Sequence, residues 1–235
     1  MYQNKKILAV IPARGGSKRL PNKNIKELNG KPLINWTIDA ALKSNYLTEV
    51  IVSTDSQDIA NIAIKAGGNV PFLRPENLAK DNSTTYDTIE HAVLYYKNEL
   101  GQNFDYVILL QPTSPLRDSK DIDQSIEMLF EKKSDAIISV CEAEHSPLWS
   151  NTLNINNDMS NFIASEIKNK RSQDLDTFYR INGAIYICDT TRLLQEKVFF
   201  LESNIYAYIM PVEHSIDIDN IIDFKLAEVI VNENQ

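Results

Sequence analysis

No Asp or Glu occurs in the first 26 residues, MYQNKKILAVIPARGGSKRLPNKNIK, which nevertheless hold seven Lys or Arg side chains. The whole 235-residue chain carries a formal charge of −8, and subtracting those seven cations leaves −15 on the remainder. That segregation argues against a nucleic-acid-binding surface spread over the protein and for a small anionic ligand held near the N-terminus. Cysteine is nearly lacking. Cys141 and Cys188 both lie in apolar runs, which reads as buried free thiols compatible with a reducing cytoplasm. No apolar run approaches the roughly 18 residues of a membrane span, and the charged start leads into a strand and a polar loop rather than a signal-peptide pattern, so a cytoplasmic protein with no membrane partner is expected. The three histidines, His91, His145 and His214, have neither ligand spacing nor a partnered nucleophile and read as surface or helix residues. Neither G-x-x-x-x-G-K-[ST] nor G-x-G-x-x-G is present, which disfavours an ordinary kinase or dehydrogenase.

What is present is an alternation of apolar runs with segments of helical period, the pattern of strand and helix units around a mainly parallel sheet. Strands are expected at Ile7 to Ile11, at 49–54, at the short VPFL run (70–73), and in DYVILLQ, AIISVCEA, GAIYICD and NIYAYIM. Helices are expected with Pro32 in the first turn, and over Asp55 to Ala66, Thr84 to Leu100, Ser119 to Lys132 and Ile221 to Val231, the last with Asp219 as a candidate N-cap. Residues 144–178 break the pattern, with a hairpin expected around Asn156, Asn157 and Asp158 followed by the charged stretch KNKRSQDLD. This excursion is too long for an ordinary loop and reads as an inserted subdomain or dimerisation arm, leaving 1–143 and 179–235 as the α/β domain.

The loop after the first strand is the first place to look for chemistry. A Gly15-Gly16-Ser17 turn can present backbone N–H groups, and Arg14, Lys18 and Lys23 can reach several phosphate oxygens. Arg74 and Thr85 flank the polar loop after the third strand, on the side where α/β sheets place ligands, although an Arg in such a loop is also an ordinary surface ion-pair residue. Gln111 ends the central strand, where its amide can bind a neutral polar group or simply cap the strand. Asp217 and Asp219 alternate with Ile216 and Ile218, so on an extended segment both carboxylates share one face; that suits Mg²⁺ bridged to phosphates, and helix capping by Asp219 is the competing explanation.

AVIPARGGSKRLPNKN resembles the signature of the sugar-activating cytidylyltransferases, in particular the CMP-N-acylneuraminate synthetases. FLRPENLAKDNSTT, LLQPTSPLR, YRINGAIYI and SIDID resemble further segments of that family in the same order, over nearly the whole chain. The resemblance implies a Rossmann-like α/β fold of the nucleotide-diphospho-sugar transferase type with a small inserted dimerisation subdomain. It assigns Ala13, Arg14, Gly15, Gly16, Ser17, Lys18, Lys23 and Asn24 to the CTP triphosphate and its surroundings, and Arg74 and Thr85 to cytidine. It places Mg²⁺, for which Mn²⁺ can substitute, on Asp217 and Asp219, and counts Arg14, Lys18 and Lys23 with these two aspartates as the catalytic set. For the acceptor sugar acid it implies Gln111, Arg171, Arg180, Tyr186, Phe199 and Phe200, the aromatic pair approaching from the second subunit of a homodimer.

The implied reaction joins CTP to the anomeric hydroxyl of a nine-carbon 2-keto sugar acid and releases pyrophosphate. One departure bears on the acceptor: after EHSPL the sialate enzymes tend to carry a basic residue, and this chain has Trp149. An aromatic ring cannot pair with a carboxylate as Lys does, so a diacetamido relative such as legionaminic acid competes with N-acetylneuraminate. A CMP-Kdo synthetase is the nearest rival, though its loop usually resembles R-L-P-G-K-P-L where this chain has RLPNKNI. A nucleotide-sugar-dependent glycosyltransferase generally carries its D-x-D after a central strand, whereas here that strand ends in LQPTSP. A binding protein without turnover is the remaining reading, and the intact Asp and Lys sets argue against it.

Overall fold

The run Ile7–Ile11 is buried on both faces, which places it inside a sheet covered on each side rather than at an edge. In the computed structural model, which describes residues 2–233, the elements follow in the order β1 (Ile7–Pro12), β2 (Glu27–Leu28), β3 (Lys31–Pro32), α1 (Leu33–Leu42), β4 (Glu49–Ser53), α2 (Gln57–Lys65), α3 (Thr85–Glu99), β5 (Tyr106–Leu110), α4 (Ser119–Glu131), β6 (Ala136–Glu142), β7 (Tyr179–Asp189), α5 (Thr190–Glu196), β8 (Ile205–Ile209) and α6 (Ile221–Glu233). Six strands form one sheet in the order β4-β1-β5-β7-β6-β8, and β2 pairs with β3 separately. Only β7 runs against its neighbours, β5 and β6; the remaining pairings in the sheet are parallel.

Alternation along β1 divides the core. Ile7, Ala9 and Ile11 pack with Ile34 and Ile38 of α1, Ile59 and Ala63 of α2, and Ile122, Ile126 and Leu129 of α4. Leu8 and Val10 face the other way, onto Ile89, Ala92, Val93 and Tyr96 of α3 and Leu193 of α5. A smaller cluster joins Leu20, Leu28, Leu33 and Ile218 to Phe224, Ala227 and Val231 of α6. This satellite core matters most for function, because it clamps the basic loop (through Leu20) against the D-x-D segment (through Ile218). Cys141 and Cys188 are buried free thiols, and among the described residues no helix is long and apolar enough to cross a membrane.

Four local expectations are revised. VPFL forms no strand: alongside β4 and its next residue there are only isolated bridges, Ile51 to Asn69 and Thr54 to Leu73, and Pro71 interrupts any ladder. The expected hairpin at Asn156 is a turn without flanking strands: Asn154 holds it through its side chain, and Asn157 takes φ +55. Pro32 stands just outside α1 as its N-cap rather than in its first turn. The cap of α6 is Asn220, whose Oδ1 accepts from the Ile222 and Asp223 amides while Asp223 answers the Asn220 amide, so Asp219 is left free for other work.

His214 is not a bystander. Its Nδ1 lies 2.9 Å from Oδ2 of the buried Asp121 at the start of α4, and this bond lifts the imidazole pKa above 6.5 against the opposing effect of burial. A group whose pKa is raised by folding contributes fully below its unfolded value and loses that contribution as the pH climbs through the raised one. The melting temperature of His214→Gln should therefore trail the parent most below pH 6.5, and the gap should close on the alkaline side. A gap independent of pH would mean that the neutral imidazole makes the bond equally well.

Candidate active site

Where β1 and β5 end, a cavity of about 500 Å³ opens between the basic loop, the segment 74–88 and the start of the loop after β5. Arg14, Ser17, Lys18, Arg19, Lys23 and Asn24 line one wall, Arg74, Asp81, Thr85 and Thr88 another, and Gln111, Thr113 and Asp219 the far end. This is the crevice at the carboxyl ends of parallel strands in which α/β sheets place ligands.

The basic loop is held by its own backbone. The amide of Ala13 donates to Ser53 O (2.9 Å), that of Gly15 to Asp55 Oδ1 (3.0 Å) and that of Ser17 to Gly15 O (3.1 Å). The buried Asn24 fixes the loop from below, its Nδ2 donating to Arg14 O at 2.9 Å. Two of the three amides expected to face phosphate, those of Gly15 and Ser17, are thus committed inside the protein, and the cradle is built mainly from side chains. Those side chains carry counter-charges. Arg14 (3.1 Å) and Lys18 both pair with Asp81, while Arg19 (3.0 Å) and Lys23 (3.4 Å) pair with Asp219. Lys23 is the least exposed of these cations, its side chain 14% accessible, and its Nζ also donates to Ile218 O at 2.7 Å.

On the opposite wall Arg74 is buried. Its Nη1 donates to Thr88 Oγ1 at 2.7 Å, its Nη2 lies 3.9 Å from Asp55, and its Nε has no protein partner. Burial pushes its pKa down, an effect that Asp55 partly offsets. Thr84, through the capping box it shares with Asp87, starts α3 so that Thr85 and Thr88 face the cavity beside Arg74.

Asp217 lies at the boundary between Gln111 and β7. A Cβ built on Gly183 would lie in ordinary contact, 3.6 Å, with both Asp217 Oδ2 and Gln111 Oε1, so the two oxygens flank this residue of β7, and its φ of +77 is what favours glycine there. Burial raises the Asp217 pKa; a hydrogen bond from Thr113 lowers it, and the charge of Asp219 raises it further. Its Oδ1 is buried with no hydrogen-bond partner. A desolvated carboxylate oxygen without a donor, backed by a second carboxylate, is the donor set that a hard divalent cation satisfies, so Asp217 and Asp219 fit the metal expected of them. The described residues also contain a three-ligand group, Asp118, Asp121 and His214, but its oxygens are spent on the α4 capping box, His214 and Tyr208, and it lies outside the cavity.

The expected acceptor residues are dispersed. Gln111 is in the cavity. Arg180 on β7 forms a two-pronged pair with Glu144 (3.2 and 2.8 Å), near enough to Asp217 to feel its charge. Arg171 is exposed and closed on Asp174. Tyr186 meets Phe199 and Phe200 edge-on at 5.8 and 6.3 Å; Phe199 is buried and Phe200 is 53% exposed. Trp149 ends a short 3-10 turn in the excursion, away from the cavity lining.

Three further participants lie inside segments that resemble the family without a residue signal of their own. Asp81 reaches across 67 positions to Arg14, Asp55 anchors Gly15 and Arg74 together, and Thr113 supports Asp217. Each is an ordinary polar residue in a loop until the fold brings it to its partner.

The family model described as "Cytidylyltransferase" matches residues 8–233. The CMP-N,N'-diacetyllegionaminic acid synthase of Legionella pneumophila is 38% identical over 236 residues, covering 98% of both chains, and the pseudaminic acid cytidylyltransferase of Campylobacter jejuni is 34% identical over 97% of both. Among solved structures, a CMP:2-keto-3-deoxy-manno-octonic acid synthetase complexed with CTP superimposes with a TM-score of 0.71 at 20% identity, covering 98% of this chain and all of that one, a likeness of fold.

Proposed function

Since the chain belongs to the cytidylyltransferase family, we propose that it transfers CMP from CTP to the anomeric hydroxyl of a nonulosonic acid and releases pyrophosphate. The observation that carries this reading is that one cavity gathers the cations Arg14, Lys18, Arg19 and Lys23, the buried Arg74 with Thr85 and Thr88, and Gln111 with Asp219. The loop of Arg14, Gly15, Gly16, Ser17, Lys18, Lys23 and Asn24, with Ala13 behind it, receives the triphosphate. Arg74 and Thr85 receive cytidine. Gln111 meets the acceptor from the far end.

Transfer is direct and needs no covalent enzyme intermediate. Arg14, Lys18 and Lys23 hold the β- and γ-phosphates and offset the charge that accumulates on departing pyrophosphate. Gln111 orients the anomeric hydroxyl toward the α-phosphorus. Asp217 and Asp219 would hold Mg²⁺, or Mn²⁺ in its place, which would supply Lewis-acid polarisation of the α-phosphate and favour ionisation of the attacking hydroxyl.

Residues 144–178 serve as an arm toward a second copy of the chain in a homodimer, whose exposed Phe200 reaches the neighbouring acceptor site. Arg171 and Arg180 then exchange Asp174 and Glu144 for the acceptor carboxylate. An aromatic Trp149 in the arm favours a diacetamido acid over N-acetylneuraminate.

Pyrophosphate release measured with CTP, UTP, ATP and GTP against diacetyllegionaminate, pseudaminate, N-acetylneuraminate and Kdo tests the reading. Turnover is expected with CTP only, and fastest with a diacetamido nine-carbon acid. Preference for Kdo would reassign the acceptor, and no pyrophosphate from CTP with any acid would leave a binding protein.

A further inference from the structure

Arg117 is 1% exposed and has no part in the chemistry described so far. Its Nη1 donates to the main-chain oxygens of Gln111 (3.2 Å) and Ala184 (2.9 Å), while Nε and Nη2 have no acceptor among the described residues. Burial pushes its pKa down to about 10, offset only in part by Asp121, whose oxygens are already taken by His214, Tyr208 and the amide of Asp118. At neutral pH the guanidinium remains charged. Burying a charge against neutral carbonyls alone costs several kcal/mol, which makes its position the feature to explain.

That position is a fork. The β5·β7 ladder ends at the pair Leu110↔Ile185, and the next residues on the two strands are Gln111 and Ala184. Beyond them β7 bends at Gly183, where the β6·β7 register also slips, and β7 continues alongside β6 alone. The two carbonyls that would have been ladder acceptors at the point of divergence are those held by Arg117. One guanidinium nitrogen therefore spans the strands where they part, with the hydroxyl of Thr37 (3.4 Å) as a second donor to Gln111 O. The mouth of the fork is where Gln111 Oε1 and Asp217 Oδ2 flank Gly183.

We infer that Arg117 is a positioning residue for the acceptor: by bridging Gln111 O and Ala184 O it fixes the width of the fork and so the point at which the Gln111 amide and the Asp217 carboxylate meet the sugar acid. This rests on the reading of the fork as the acceptor subsite. Lys has donors enough for two carbonyls, but its nitrogen ends one bond short of Nη1 on a flexible stem, so it holds the bridge less well. Misplacement by a fraction of an ångström at the reacting centre is felt in rate, whereas the CTP cradle on the β1 loop stays in place.

The test is steady-state kinetics of Arg117→Lys and Arg117→Met, with both substrates varied, beside Gln111→Ala. Arg117→Lys is expected to lower kcat/KM for the acid by about tenfold or more, with the KM for CTP within about twofold of the parent, and Arg117→Met to do the same more severely. Should Met prevent folding, Lys alone decides. Equal loss toward CTP and acid, or an unchanged acid KM and kcat in a folded variant, would overturn the positioning role. If Gln111→Ala leaves the acid kinetics untouched, the acceptor subsite is elsewhere and the underlying reading fails; loss in Gln111→Ala without loss in Arg117→Lys refutes the inference alone.

Discussion

Asp217→Asn is expected to lose CMP transfer by at least about 10²- to 10³-fold while remaining folded, and to melt higher than the parent in metal-free buffer. The two halves of this result have one cause. Asp217 Oδ1 is buried without a donor, and burial raises the carboxyl pKa. A carboxyl whose pKa is raised by folding is one whose ionised form opposes folding, so above the ordinary carboxylate range the native state carries a standing cost. Asparagine removes the charge, and with it the cost and the metal ligand. Added Mg²⁺ with CTP should stabilise the parent and leave the variant unmoved. Mg²⁺-dependent turnover at the parental rate in Asp217→Asn would sink the metal assignment, and a lower metal-free melting temperature would show that the carboxylate is already compensated.

Lys23→Met carries the next largest effect, a loss of about 10²-fold or more in kcat/KM for CTP, well beyond that of Lys18→Met. Both lysines line the cavity, but they are placed differently. Lys18 is 76% exposed at its side chain and touches only Asp81, so solvent screens it and a neighbouring cation can stand in for it. Lys23 is mostly buried and bonds Ile218 O and Asp219 Oδ1, tying the phosphate loop to the segment that carries both aspartates. Its removal takes away a phosphate contact and slackens the registration of the two halves of the site. Steady-state kinetics of the two variants side by side decide the matter; parity between them would mean that the contact to Ile218 has no catalytic consequence.

What could be read from the chain depended on how local the determinant was. β1, its basic loop and β5 are legible because a strand buried on both faces is a continuous apolar run and the residues that follow it act nearby. The cap of α6 was legible too, since Asn220 and Asp223 stand at N-cap and N3 spacing while Asp219 has Ile222 at that distance; the D-x-D pattern drew attention to the wrong neighbour. Arg117 shows the opposite case. In LLQPTSPLR it looks like a loop cation, and its burial is set by Ala184, 67 residues later on the one antiparallel strand. The same holds for Asp81, whose role needs the segment 74–88 folded against the β1 loop. Residues 144–178 were legible only as an interruption, because a stretch without periodicity specifies little beyond turns such as that held by Asn154.

The pairing of the loop cations with Asp81 and Asp219 gives nucleotide entry the character of an exchange. A triphosphate arriving at this wall finds no bare positive charge; it evicts two carboxylates that already occupy the places its own oxygens need. Much of the Coulombic gain is returned in breaking those pairs, which tempers affinity and lets product leave. The eviction also does useful work, since Asp219 is released from Arg19 and Lys23 only as phosphate takes them over. On the proposed metal assignment, the pair of Asp217 and Asp219 would therefore be free to take a cation only once a nucleotide has drawn Arg19 and Lys23 away from Asp219.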